Sequence, residues 1–275
     1  MEPTQALLLG LIQGLTEFLP VSSSGHLIIF QQLFGLTEPE LFFDVSVHIG
    51  TLLAVVVFYH RILIGLFHAA ADLLRARPGP EPGSEAARSR RLLWMIVAGS
   101  IPTAMIGLGL KPFADQLFSS MTLVGVNLLV TGLLLFLTGL IDRRPRNGGA
   151  AAVRTEIRLM DALAIGLVQG FAVLPGISRS GSTISTGLLL GVGKPAAAAY
   201  SFILSIPAIL GAGLMVLRDA VAGAPFEPAA CIIGTTASFG MGYAALKLLV
   251  FIVNRGQLSY FAPYCWLAGA LALVI

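Results

Sequence analysis

Charge is scarce in this chain. Of its 275 residues, 11% are Asp, Glu, Lys or Arg, 56% are hydrophobic, and the mean hydropathy is +0.87. A soluble domain carries about 25% charged residues, so the shortage excludes a soluble enzyme, a disordered chain and a nucleic-acid module, and predicts an all-α integral membrane protein. Cysteine is scarce too. Cys231 and Cys265 both lie in apolar runs, where a thiol behaves as a small hydrophobe, and their spacing argues for no disulfide framework. A basic N-terminal segment with a small-residue cleavage site is also lacking. Glu2 precedes the first apolar stretch, which is therefore read as a retained part of the fold. The net charge of +3 comes from basic residues gathered mostly in two short segments, so it reports membrane topology and no nucleic-acid partner.

Apolar runs are abundant. Crossing a hydrocarbon core of about 30 Å takes about 20 helical residues. Runs of that order occupy 41–59, 92–110, 121–141, 196–217, 229–253 and 260–275, the last being short. Two further stretches, 4–34 and 159–191, are interrupted by Pro20 with Ser22, Ser23, Ser24 and Gly25, and by Pro175 with Gly176, Ser178, Ser180 and Gly181. Each reads as two half-helices. Irregular backbone at membrane depth is tolerated only where it is buried in protein or lines a wet cavity, so the breaks mark a site.

Arginines orient the spans. Arg61, Arg75, Arg77, Arg88, Arg90 and Arg91 fall in 60–91, and Arg143, Arg144, Arg146, Arg154 and Arg158 in 142–158, which makes both segments cytoplasmic loops. The first broken stretch then opens outward and the second dips in from the inside. At a constant offset of 156, Gly10, Leu11, Gln13, Gly14, Ser22, Ser24 and Gly25 meet Gly166, Leu167, Gln169, Gly170, Ser178, Ser180 and Gly181. Each half holds one broken stretch and three spans, an odd number. The prediction is an inverted-topology repeat with about six transmembrane helices and two re-entrant pairs, its halves 1–145 and 155–275 joined in one membrane domain and its two Ser-rich turns facing each other.

The first turn, QGLTEFLPVSSSGH at 13–26, places Glu17, three serines and His26 in an apolar setting, where an ionisable group is by default functional. Ser22 or Ser23 is the expected cap of the half-helix near Gly25, whose free N–H groups favour an anion. The second turn, LPGISRSGST at 174–183, contributes Arg179, whose planar fork suits a phosphate or pairing with Glu17, flanked by Gly176, Gly181, Ser178, Ser180, Ser182 and Thr183 in a nest-like cluster. A serine, a carboxylate, an imidazole and an Arg are the parts of phosphoryl transfer. A dense metal cage is absent, but Glu17 could supply one carboxylate to Mg²⁺ or Ca²⁺ held otherwise by water and substrate phosphates. Asp44 and His48 share a helix face and read as packed or interfacial, His60 and His68 as solvated, and Lys247 as snorkelling. Gln13 and Gln169 are placed to hydrogen-bond across the repeat interface.

These two motifs resemble the signatures of the undecaprenyl-pyrophosphate phosphatase family, also called the bacitracin-resistance family, and the resemblance runs over essentially the whole chain. It implies a multi-pass enzyme of the bacterial inner membrane that removes the terminal phosphate of undecaprenyl pyrophosphate on the periplasmic side, with a divalent cation, and recycles the cell-wall lipid carrier. Carried over by position, Glu17, Ser22, Ser23, Ser24 and His26 match the first motif, and Ser178, Arg179, Ser180 and Thr183 the second. Gln13 stands where the family allows Glu or Gln, so a two-carboxylate metal site is not available. The resulting assignment is Ser23 as nucleophile, with direct attack by water still open, Glu17 as metal ligand or base, His26 as base or acid, and Arg179 as pyrophosphate clamp. Gln13, Ser22, Ser24, Gly25, Gly176, Ser178, Ser180, Gly181 and Thr183 are the expected substrate-binding residues. The alternative from architecture alone is an inverted-repeat secondary transporter or lipid flippase, and the oligomeric state is open, with a homodimer among the options.

Overall fold

A computed structural model describes residues 1–36, 41–142, 154–220 and 227–274. Arg143, Arg144 and Arg146, on which part of the topology reading rests, lie outside the described residues, as does most of the junction between the two predicted halves. Among the described residues the regular structure is helical, with an isolated bridge between Arg154 and Val192, and turns join the helices. The helices are α1 (Pro3–Phe18), α2 (Ser23–Leu33), α3 (Leu41–Phe58), α4 (His60–Leu74), α5 (Glu85–Leu110), α6 (Ala114–Phe118), α7 (Met121–Asp142), α8 (Leu159–Phe171), α9 (Arg179–Leu189), α10 (Lys194–Ala220), α11 (Pro228–Asn254) and α12 (Ala262–Ala272). By length and composition α5, α7, α10 and α11 can each cross a membrane, and α3 does so if its bent pairing with α4 is counted. The protein is thus a multi-pass membrane protein. The 260–275 run forms a 3-10 turn at Leu258–Phe261 followed by α12, which is shorter than the other spans.

Both broken stretches are helix pairs, α1 with α2 and α8 with α9. The break after α1 follows from its sequence. Leu19 precedes Pro20 and takes an extended ψ of 145°, because the proline ring disfavours helical backbone in the residue before it. Helix then restarts at the cap that the serines provide. Ser22 Oγ accepts from Gly25 N at 3.4 Å, and Ser178 Oγ accepts from Gly181 N at 3.1 Å.

Each pair packs on a long helix from the other half of the chain. In α1, a Cβ added at Gly10 would lie 2.6 Å from Gly234 O, and one at Gly14 2.7 Å from Ser238 O, both on α11. In α8, a Cβ at Gly166 would collide with the backbone of Gly99 on α5, and one at Gly170 would lie 2.8 Å from Ile106. Small residues four apart let the backbones touch, and in a lipid setting close packing of this kind holds helices together. Between the pairs lies the largest core cluster, in which Phe18, Val21, Ala54, Leu135, Ile184, Leu246, Leu249 and Cys265 are all buried. Large apolar side chains such as Met105, Leu214, Ile232 and Leu267 are exposed on the outside, as a lipid-facing surface requires.

One expectation is corrected. Segment 60–91, read as a loop from its arginines, contains α4 and the first turns of α5. Helix α4 leaves α3 at 86°, just after Tyr59. Its basic residues stand at the ends, at Arg61 and at the C-cap Arg75, while Ile64, Phe67 and Leu74 project outward and Leu66 and Ala69 face the core. This amphipathic spacing forms a helix without the length or apolarity of a span.

Candidate active site

The two turns meet. Ser22 Oγ accepts from Gly176 N at 3.1 Å, Ser180 Oγ donates to Leu19 O at 3.4 Å, and a Cβ at Gly181 would touch Pro20 at 3.0 Å. Ser22 has φ +69° and ψ 96°, an uncommon backbone for a residue with a Cβ, and the three hydrogen bonds to its hydroxyl hold it there. Gly176 has φ +93°, and a Cβ there would strike α7 at Asn127 and Val124. That turn is tied to α7 by Asn127 Nδ2 donating to Pro175 O at 2.7 Å and Thr131 Oγ1 donating to Gly176 O at 3.0 Å, while Ser178 N donates to Thr131 Oγ1 at 3.0 Å.

Glu17 sits at the meeting point. Its Oε1 accepts from Arg179 Nη2 at 2.5 Å, and its Oε2 accepts from Ser23 Oγ at 2.6 Å and from Gln13 Nε2 at 2.8 Å. His48 Nε2 lies 3.8 Å from the same Oε2. Ser23 and Arg179 are the first helical residues of α2 and α9, so the carboxylate is bonded to the opening residue of both half-helices, where each dipole is positive and the first N–H groups have no helical acceptor. Such a place holds an anion. The Glu17 side chain is 4% exposed and that of Arg179 23%, so the guanidinium closes the carboxylate off from outside while keeping donors free on its outer edge. A narrow cleft beside the pair is lined by Thr51, Ser180, Ser201 and Phe202 as well as by Glu17 and Arg179.

The expected catalytic residues separate into two groups. Glu17, Ser23 and Arg179 are in direct contact, with Gln13 behind them. His26 stands apart from that contact. Its Nδ1 donates to Ser22 O at 2.8 Å, which leaves Nε2 to accept from Tyr264 OH at 2.6 Å, and the two rings stack with centroids 5.8 Å apart.

The expected binding residues divide in a similar way. Ser24 is half-buried beside Ser22, with its hydroxyl at the mouth of the turn. The hydroxyls of Ser22 and Ser178 are committed to capping, and the Gly25 and Gly181 N–H groups to those same caps. Ser180 Oγ reaches across to Leu19 O, although Ser180 also lines the cleft, while Ser182 Oγ donates to Ser178 O and Thr183 Oγ1 bonds Arg179 O and Ser201 Oγ, so the last two hydroxyls are committed to interior partners. Gly176 is a turn-former packed on α7. Sequence reading gave no weight to Tyr264, Asn127 or Thr131. The signal for the last two is present, because the one amide of that span and a hydroxyl four residues on share a helix face in a largely apolar stretch. Nothing in the sequence marks Tyr264.

A cation would find a small donor set. Among the described residues no group of three or more His, Cys, Asp or Glu is clustered for a metal. Gln13, which turns its Nε2 to the Glu17 carboxylate, is fully buried, and its Oε1 at the other arm of the amide has no hydrogen-bond donor. A carboxylate and an orphaned amide oxygen suit a hard divalent cation that takes its other ligands from water and phosphate.

Comparison with known proteins places the chain. The profile of the bacitracin resistance protein BacA family matches residues 6–271. An undecaprenyl-diphosphatase of Desulfosudis oleivorans is 49% identical over 278 residues, covering all of this chain and 99% of that protein. Proteins of the same name from Desulfatibacillum aliphaticivorans and Desulforapulum autotrophicum are 46% and 44% identical, covering 98% and all of this chain and 97% and 98% of their own lengths. With both motifs in place and the match running nearly end to end, the chain belongs to the BacA family.

Proposed function

We propose that this protein is an undecaprenyl-diphosphatase that hydrolyses undecaprenyl pyrophosphate to undecaprenyl phosphate and inorganic phosphate in the bacterial inner membrane, with its site open to the periplasmic side. The observation that carries the reading is Glu17, bonded at once to the Ser23 hydroxyl and the Arg179 guanidinium at two converging helix N-termini. In this reading Ser23 Oγ attacks the terminal phosphorus while Glu17 Oε2, already its hydrogen-bond acceptor, takes the proton. The bond from phosphorus to the bridging oxygen breaks, and undecaprenyl phosphate departs with that oxygen. Arg179 and the first N–H groups of α2 and α9 stabilise charge on the equatorial oxygens. Water then attacks the phosphoserine, the bond from phosphorus to Ser23 Oγ breaks, Glu17 returns its proton to that oxygen, and inorganic phosphate departs carrying the protons of the water. His26, the other expected acid/base group, is held by Ser22 O and Tyr264 OH away from Ser23 and Glu17, and in this reading it positions the Ser22 turn.

Arg179 cannot clamp substrate and hold Glu17 with the same N–H, so its outer donors meet the pyrophosphate while Nη2 keeps the carboxylate in place. A divalent cation, Mg²⁺ or Ca²⁺, would be held by Glu17 and the Gln13 carbonyl oxygen, and would offset the charge of the pyrophosphate. The division into halves 1–145 and 155–275 in opposite membrane orientation belongs to the same reading, supported by the exchange of helix pairs between the halves. It leaves the isoprenoid tail among the spans while the headgroup reaches the turns.

The test is phosphate release from undecaprenyl pyrophosphate by the detergent-purified protein, with added Mg²⁺ or Ca²⁺ and with a chelator. Release that depends on the cation and is lost in Ser23→Ala is the expected result. A folded wild-type protein that releases no phosphate would overturn the reading in favour of transport.

A further inference from the structure

His48 has no role in the reaction as derived above, yet its ring is fixed on the working carboxylate. Its Nδ1 donates to the backbone oxygen of Asp44 at 2.7 Å, one turn back in α3, so the proton sits on Nδ1 and the lone pair on Nε2. That Nε2 lies 3.8 Å from Glu17 Oε2, beyond hydrogen-bond reach. Two ligand atoms bound to one metal at about 2.1 Å each can lie up to about 4.2 Å apart, so the gap is one that a single cation spans. Metal-ligating histidines characteristically donate their second ring nitrogen to a carbonyl or carboxylate, as Nδ1 does here. Gln13, whose Nε2 donates to that same Glu17 Oε2, is fully buried with its Oε1 lacking a donor, so turning its amide over would present that oxygen to the ion. The His48 side chain is 28% exposed, which gives an ion a way in.

We infer that His48 Nε2 is a ligand of the divalent cation at Glu17, which makes the centre a mixed site of imidazole nitrogen, carboxylate oxygen and the Gln13 amide oxygen. The inference rests on the proposed cation at Glu17 and adds to it the ligand that replaces a second carboxylate. Its chemical consequence is a choice of ion. A nitrogen donor favours first-row transition cations such as Mn²⁺ over Mg²⁺ and Ca²⁺, which prefer all-oxygen shells. The imidazole also holds the cation on the Oε2 side, opposite the Arg179 contact on Oε1, where the ion takes the lone pair that Gln13 Nε2 otherwise occupies and leaves the one facing Ser23 Oγ to accept the proton.

The experiment is Mn²⁺ binding to the full-length detergent-solubilised protein, read by pulsed electron paramagnetic resonance for coupling to imidazole nitrogen, with no substrate present. Wild type is expected to bind Mn²⁺ with nitrogen coupling. His48→Leu is expected to lose the coupling and to bind roughly tenfold more weakly or worse. His48→Asp is expected to recover binding through oxygen without the nitrogen signal. His68→Leu, in the separate groove between α4 and α5 lined by Arg61, Asp72 and Glu85, serves as control and keeps the signal. Mn²⁺ bound without nitrogen coupling, or coupling that survives His48→Leu, would overturn the inference and leave the cation at Glu17 standing. Failure of wild type to bind Mn²⁺ at all would overturn both the inference and the cation, while chelator-resistant phosphate release would leave the phosphatase intact.

Discussion

At matching places in the two turns, Ser22 and Ser178 each cap a half-helix, and Gly25 and Gly181 each donate to that cap, but the residues beside them have diverged. One turn before the breaks, Gln13 and Gln169 are equivalent. Gln13 donates to Glu17, whereas Gln169 donates to Thr103 Oγ1 and Leu204 O, because the position equivalent to Glu17 is Val173. Ser23 has Arg179 as its counterpart, and His26 has Ser182. The first turn thus supplies the hydroxyl, the carboxylate and the imidazole, and the second supplies the cation that pairs with the carboxylate. The symmetric backbone brings two helix N-termini together, while the side chains they carry differ, a hydroxyl and a carboxylate from the first turn meeting a guanidinium from the second.

Substitutions can sharpen that contrast. The largest effect is expected at Glu17→Gln, which keeps the shape and removes the proton acceptor of Ser23. It should lower kcat for phosphate release about 10³-fold, and full activity in this variant would return the base to His26. Next come the caps. Ser22→Ala leaves two buried N–H groups, of Gly25 and Gly176, without an acceptor, whereas Ser178→Ala leaves only that of Gly181. Unfolding in detergent should show a loss of about 2–3 kcal/mol for the first and about 1 kcal/mol for the second. Equal losses would mean that the Ser22 contact to the opposite turn contributes nothing. The smallest effect separates the glutamines. Gln13→Met should cost about tenfold in kcat, because Glu17 Oε2 loses a donor. Gln169→Met should leave phosphate release unchanged, since Thr103 keeps its bonds to Gly99 O and Gly166 O.

Several elements were legible before any coordinates. The apolar runs coincide with α3, α5, α7, α10 and α11 because length and hydropathy are local properties that a bilayer reads directly. The breaks coincide because proline and the serine caps act on their own backbone, and the 156-residue offset places equivalent residues at equivalent caps. Helix α4 lies in a segment whose arginines read as a loop, although its apolar residues recur at helical spacing.

What the sequence determined alone, then, is the chain's place in a membrane, the position of its breaks and the identity of the charged residues inside them. Those follow from the cost of burying polar groups in hydrocarbon and from backbone sterics, both of which act over a few residues. Only the tertiary structure decided which hydroxyls face the site. Ser22, Ser178 and Thr183 look equivalent to Ser23 as letters, but helix start and rotation turn them to caps and interior partners and leave Ser23 on Glu17. It also decided that His26 turns to Tyr264 and that His48 turns to Glu17, across 238 and 31 positions of chain. Contacts at that separation depend on how whole helices pack, and no local pattern encodes them.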